Sequence, residues 1–294
     1  MAGCTLWTLA LGLLLGGEAR AETPPVAEVA EAAEELGAVR WPRGLPEAQA
    51  RAAASGKPVL VLFDEVPGCS TVKGFGNGAL SHPLLAEAVE TLFEPVLVYN
   101  NRSEDDAVCE AFAEPRWNNP VVRVLGARRS RDARFAGPYS EAAFARFLVD
   151  ALAGRGEVPT WLGALASELE GAPRARTATY SMACFWSGEA LLGEVDGVLS
   201  TTTGWQGGRE VVRLTYDPRQ TTRDALDAHA EGHALPVDEG ALRRTPGDDQ
   251  HALRGTPWAS VWMTAGQASK VNSWVAAGRD PSVWLSPRQV AGSR

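Results

Sequence analysis

Four cysteines in 294 residues are too few for a disulfide framework, and no C-x-x-C pair occurs among them. Each thiol therefore has to be read singly. Basic residues are also scarce: 28 Lys and Arg stand against 36 Asp and Glu, a net charge of −8, with no basic stripe. That balance excludes nucleic acid and anionic membrane surfaces as natural partners. No G-x-G-x-x-G occurs, and "GFGNG" (Gly74 to Gly78) reads as a flexible turn without phosphate-binding context. Internal repeats and low-complexity tracts are absent. The longest apolar run, Thr5 to Leu15, is too short to span a bilayer comfortably.

What is present is an ordinary globular composition, 45% hydrophobic and 22% charged, long enough for about two domains. The apolar run at Thr5 to Leu15 is followed by Gly16-Gly17 and then Ala19-Arg20-Ala21. Small residues at −3 and −1 predict a cleaved export signal over residues 1–21, although the n-region has no Lys or Arg. The expected location is outside the cytoplasm, the periplasm of a bacterium, with no bilayer-spanning segment after signal removal. Cys4 precedes the run and is not placed as a lipoprotein cysteine. Export would leave Cys69, Cys109 and Cys184 in an oxidising compartment.

Strand and helix patterns then alternate. Residues 22–40 read as a solvated helix or linker. "PVLVLFDEV" (Pro58 to Val66), "PVLVYN" (Pro95 to Asn100) and "PVVRVLG" have buried-strand length, with helical spacing between and after them. This predicts an α/β domain over residues 41–153. A Gly- and Pro-containing linker is expected over 154–176. Residues 177–294 begin with a strand (Thr177 to Ala183), a helix from Cys184, two strands ("GVLSTTTGW", "EVVRLTYD") and a Thr-capped helix, an α+β order of ferredoxin-like type.

Cys69 lies after the Pro58 to Val66 strand, through Pro67-Gly68, with helix beyond. Thioredoxin-like folds keep their nucleophile at such a strand-to-helix turn, because the helix N-terminus favours the thiolate. Val72 occupies the partner position, which rules against an ordinary intramolecular disulfide cycle. Pro120, after Asn119 at the head of a strand, is the candidate for the cis-proline of such folds. "VPGCSTV", "GFGNGALSHPLLAEAVETLFEPVLVYNN" and "EPRWNNPVVRV" resemble bacterial thioredoxin-like selenoproteins carrying V-P-G-Sec, with Cys69 where that family has selenocysteine. The resemblance implies redox chemistry at Cys69. Cys109, on the apolar face of a helix, reads as a core cysteine, and as a resolving thiol only if that helix lies near Cys69.

Cys184 also stands where an apolar strand gives way to a helix, followed by Phe185 and Trp186. "ACFWSGE", "GVLSTTTGWQGG" and "EVVRLTYDP", and more faintly "DDQHALRGTPWAS", resemble peptide methionine sulfoxide reductase A. The resemblance implies a thiolate that attacks the sulfoxide sulfur, an apolar cage from Phe185 and Trp186 for the substrate methyl, and Glu210 as the acid protonating the departing oxygen. By position alone Glu210 is equally an exposed strand-start glutamate. The chain departs from that family in five places. Trp205 and Trp258 stand for its two tyrosines, and indole is not a proton source at ordinary pH. Leu253 stands for an aspartate. About a dozen residues before Glu210 are missing, which demands a tight hairpin. No later cysteine exists to resolve a sulfenic acid.

One cysteine at a helix start in each half, without a partner in either, predicts that Cys69 resolves Cys184 and that an external thiol then reduces the bond. The expected protein is an exported thiol oxidoreductase acting on methionine sulfoxide in peptides or proteins, without a cofactor. In a second reading Cys69 alone is catalytic, in peroxidase or disulfide-exchange chemistry, and the C-terminal half only binds Met-containing segments. A third is a non-enzymatic envelope scaffold with both cysteines packed. His229 and His233 in "HAEGH" have metal-ligand spacing but no third ligand, so a surface or capping role is expected and no metal site is assigned.

Overall fold

A computed structural model describes residues 30, 33–128, 131–156 and 158–293. The expected export signal, residues 1–21, lies outside the described residues. The first half opens with α1 (Leu45–Ser55), β1 (Val59–Asp64), α2 (Ser70–Asn77) and α3 (Pro83–Leu92). It continues with β2 (Glu94–Tyr99), α4 (Asp106–Phe112), β3 (Val121–Arg128), β4 (Arg131–Phe135) and α5 (Glu141–Ala153). Its sheet has the order β2-β1-β3-β4, with β1 and β2 parallel and β3 and β4 antiparallel to their neighbours.

The continuous apolar run in β1 follows from burial on both sides of this sheet. Leu60 and Leu62 face a core with Leu97, Val122, Phe75, Leu84 and Phe144. Val59, Val61 and Phe63 face the opposite layer, where Ala48 of α1 and Cys109 of α4 are buried. Cys109 is thus a packed thiol, and burial pushes its pKa up. The periodicity of the sequence did not reveal β4, because "RDARF" lacks apolar alternation. It is an edge strand, fixed by pairing with β3.

The stretch expected as a linker, 154–176, is largely ordered helix. Thr160–Gly171 forms α6, with Trp161, Leu162, Leu165 and Ala166 buried in the core that Leu60 and Phe144 share. Flanking Gly and Pro obscured a one-sided apolar face that a helix can bury. Residues 33–40 are likewise docked: a short 3-10 turn (Glu34–Leu36) buries Leu36, and Val39 joins the same core.

The second half contains β5 (Arg176–Ser181), α7 (Phe185–Gly193), β6 (Val198–Gln206), β7 (Arg209–Tyr216), α8 (Arg223–Ala230), β8 (Leu235–Val237) and β9 (Arg243–Arg244). Its sheet order is β8-β5-β7-β6-β9, antiparallel throughout. Tyr180, Val212 and Leu214 pack against Phe185, Leu192 and Leu226 of α7 and α8. The β6–β7 connection is the tight hairpin that the missing residues demanded. Gly207 and Gly208 have φ of +58° and +79°, the paired positive values of a two-residue turn.

Two C-terminal helices, α9 (Ala265–Ala276) and α10 (Pro287–Gly292), went unread in the sequence. Both start with capping boxes, Thr264 with Gln267 and Ser286 with Gln289, which was the available signal. They join the halves. Glu168 of α6 accepts from Thr264 Oγ1 (2.6 Å) and Gly266 N–H (3.0 Å), and Glu87 of α3 accepts from Ser286 Oγ (2.6 Å) and Arg288 N–H (2.8 Å). Among the described residues no helix is long and apolar enough to cross a membrane.

Candidate active site

Cys184 is the N-cap of α7, with extended backbone (φ −146°, ψ 113°), and its carbonyl accepts from Gly188 N–H at 3.1 Å. The thiol is free and partly exposed. Cys184 therefore stands at the end of α7 where backbone N–H groups lack intrahelical partners. A Cβ at Gly188 would collide with the Met182 thioether, so this glycine allows the chain before Cys184 to lie against the first turn.

Glu210 meets this turn directly. The register pairs it with Trp205 across β6 and β7, and its Oε2 accepts the Phe185 N–H at 2.8 Å. The carboxylate expected from the sequence thus does reach the residue next to Cys184. It does so as a cap on the helix backbone.

Three of the four predicted aromatic residues come together. Phe185 packs edge-on against Trp186 (centroids 5.9 Å) and Trp205 (6.2 Å). Phe185 is buried, whereas Trp186 is 40% exposed. Trp258 goes elsewhere: it packs against Leu253, Val271 and Leu285 in a separate cluster under α9. Its place on a 3-10 turn (Pro257–Ser260) is set by local capping from Thr256, which sequence correspondence could not weigh.

Sequence reasoning missed two residues here. His251 lies parallel to Trp186, with centroids 3.7 Å apart and planes 7° from coplanar. Glu189, one turn along α7, is fully buried; burial pushes its carboxyl up to about 7, opposed in part by hydrogen bonds from the Gln250 N–H and Thr201. A charged residue three positions after Trp186, inside an apolar helix, was the visible signal.

In the first half Cys69 is the N-cap of α2 and is exposed. Its sulfur is 3.9 Å from Asn119 Oδ1. Acidic side chains hold the turn: Glu35 accepts from Gly68 N–H (3.0 Å) and Glu65 from Cys69 N–H (3.2 Å). Behind them Asp64 is fully buried, with Oδ2 unpartnered in the protein, and burial lifts its pKa to about 8. Pro120 is not the cis-proline. The cis bonds among the described residues precede Pro67 and Pro138, and the Pro120 carbonyl accepts from Tyr139 O–H at 2.8 Å. The two isomers of a prolyl bond differ by only about 0.5–1 kcal/mol, so sequence position alone could not choose.

The turns of Cys69, which is exposed, and Cys184, which is partly exposed, are built from different residues. The sulfur of Cys69 faces Asn119 of its own half, the turn of Cys184 meets Glu210 and Met182 of its own, and neither takes part in the hydrogen bonds that join the halves. His229 Nε2 meets the Leu191 carbonyl at the end of α7 (3.0 Å), and His233 is exposed, so the pair does not converge.

No family model matches the chain. Part of it is similar to known proteins. It is 39% identical over 67 residues to the peptide methionine sulfoxide reductase MsrA of Methanococcus maripaludis, covering 17% of this chain and 43% of that protein. It is 37% identical over 71 residues to the peptide methionine sulfoxide reductase of Drosophila melanogaster (19% and 29%). It is 29% identical over 121 residues to MsrA of Corynebacterium diphtheriae (31% and 55%). The chain spans about half the length, or less, of these curated relatives. One region of the chain is therefore MsrA-like.

Proposed function

We propose that the protein is a thiol oxidoreductase that reduces methionine sulfoxide in peptides or proteins at Cys184. The observation that carries this reading is the convergence, at one helix start, of a partly exposed thiol, a carboxylate on the adjacent N–H and an open indole face. The partial similarity to three peptide methionine sulfoxide reductases supports it. In the reaction, the Cys184 thiolate attacks the sulfoxide sulfur, the oxygen takes up a proton, methionine leaves, and Cys184 becomes a sulfenic acid. Trp186 and Phe185 would enclose the methyl group. Glu210, 2.8 Å from the Phe185 nitrogen, is the acid proposed to deliver the proton.

The first half is proposed to be thioredoxin-like, which the strand order β2-β1-β3-β4 with its single parallel pair supports. In the second half the order β8-β5-β7-β6, antiparallel, supports the ferredoxin-like assignment. Cys69 is proposed as resolving thiol. It would condense with the sulfenic acid, releasing water and forming a disulfide that an external dithiol reduces. This step requires the two sulfurs to come into contact, within one molecule or between two. Export to an oxidising compartment is part of the same proposal.

The test is turnover of a methionine sulfoxide peptide with a small dithiol. Wild type and Cys69→Ser should turn over, and Cys184→Ser should not. Undiminished activity of Cys184→Ser would reject the assignment.

A further inference from the structure

Trp186 is exposed, yet a cage wall has to be held still. Trp186 and Glu189 are three positions apart on α7 and so project on neighbouring lines of the helix. Glu189 points inward and is fully buried. Its Oε2 accepts the Gln250 N–H at 2.7 Å, and its Oε1 accepts from Gln250 Nε2 at 3.2 Å and from Thr201 Oγ1 at 3.1 Å. Both carboxyl oxygens are engaged, and two of the three bonds go to a single residue of the facing turn.

That residue is under strain. Gln250 has φ +50°, in the left-handed region that L side chains rarely adopt. Two bonds from one buried carboxyl hold it there. Beyond it, Asn272 Oδ1 of α9 accepts the Ala252 N–H at 2.9 Å. The turn is thus pinned at positions 250 and 252, and His251 stands between the pins. Its imidazole covers one face of the Trp186 indole at 3.7 Å, with Nδ1 buried and without a protein partner. A covered face leaves the 40% exposure of Trp186 to the rest of the ring.

We infer that Glu189 is a positioning residue for Trp186, acting through Gln250 and His251, so that the uncovered indole face is presented beside Cys184. What that face receives rests on the proposed function; the mechanical relay does not. The groups around Glu189 are consistent with an ordering device. Thr201 of β6 and Ser269 of α9 are neutral, Asp249 Oδ1 accepts from the Thr203 N–H (2.7 Å) and Thr203 Oγ1 (2.8 Å) while its Oδ2 pairs with Arg244 (3.2 Å), and His251 is a titratable ring in contact with Trp186. A side chain serving only the core would need no strained glutamine and no stacked imidazole at the end of its hydrogen bonds.

The experiment reads Trp186 emission as the difference between each protein and the same protein carrying Trp186→Phe. It is followed against pH, because a protonated imidazole in contact quenches indole. The relay predicts an acid quench in wild type that is abolished in His251→Leu. It is shifted or blunted in Glu189→Gln, whose amide offers one acceptor oxygen in place of the two that hold Gln250 and Thr201. Should Glu189→Gln fail to fold, Thr201→Val removes one donor at constant shape and reads the same coupling. In turnover, Glu189→Gln and His251→Leu should each lower kcat/KM about tenfold, and the double variant by no more than either alone. Wild-type emission and pH response in Glu189→Gln, or in Thr201→Val where that is the variant measured, would overturn the relay. A wild-type protein that shows the quench but no sulfoxide reduction would reject the proposed function and leave the relay standing.

Discussion

Cys69 and Cys184 hold the same local position, the residue just before a helix that follows a strand, and the chemistry around them is opposite. The Cys69 turn is built on carboxylates: Glu35 and Glu65 occupy the Gly68 and Cys69 N–H groups, and Asp64 lies buried behind. The Cys184 turn is built on aromatic rings, with one carboxylate on the Phe185 N–H and an indole partly exposed, one face under His251. A helix start makes a cysteine a candidate nucleophile, and its neighbours decide what it can hold. Rings provide a site for a thioether methyl; a ring of acids does not.

The comparison can be broken most sharply by exchanging sulfur for oxygen. Cys184→Ser should lower methionine sulfoxide reduction at least about a thousandfold with a dithiol reductant, as expected when a nucleophile is deleted. Cys69→Ser should leave that rate within about twofold. The next effect is on the cage. Trp186→Ala should reduce kcat/KM by about ten- to a hundredfold, mostly through KM, since the wall binds substrate and transition state alike. Steady-state rates on a short sulfoxide peptide check both.

A smaller effect distinguishes the acidic turn. Burial lifts Asp64 from 3.8 to about 8. The folded protein therefore keeps a proton there that the unfolded chain releases above about pH 4. This contribution to stability is complete at acid pH and is lost progressively as pH rises through that window toward 8. Asp64→Asn should abolish that decline, so its unfolding midpoint should gain on wild type as pH increases. Denaturant melts at several pH values measure it. The smallest expected effect is at Glu189, pushed up to about 7 by the same cause and with the same sign over a narrower window.

Much of this was legible in the sequence because it is local. The unbroken apolar run Val59 to Phe63 fixed a strand buried on two faces, and Cys184 before "FW" fixed a helix start beside an aromatic pair. The hidden features depend on contacts far along the chain. "RDARF" becomes a strand only by pairing with β3, and α6 shows its apolar face only against the core it completes. Correspondence by spacing sent Trp258 to the cage, whereas packing under α9 took it away. His251 reaches Trp186 from 65 positions on, through a turn that Glu189 holds, and no window of sequence contains both.

The most direct measurement is a single-turnover reaction without reductant. The Cys69→Ser protein is mixed with a methionine sulfoxide peptide, a sulfenic acid trap is added, and the adduct is located by mass spectrometry. One methionine formed per protein, with the adduct on Cys184, is the predicted result. Methionine formed with Cys184 unmodified, or no methionine from folded protein whose Cys184 is a free thiol, would contradict the assignment of this cysteine as the reacting group.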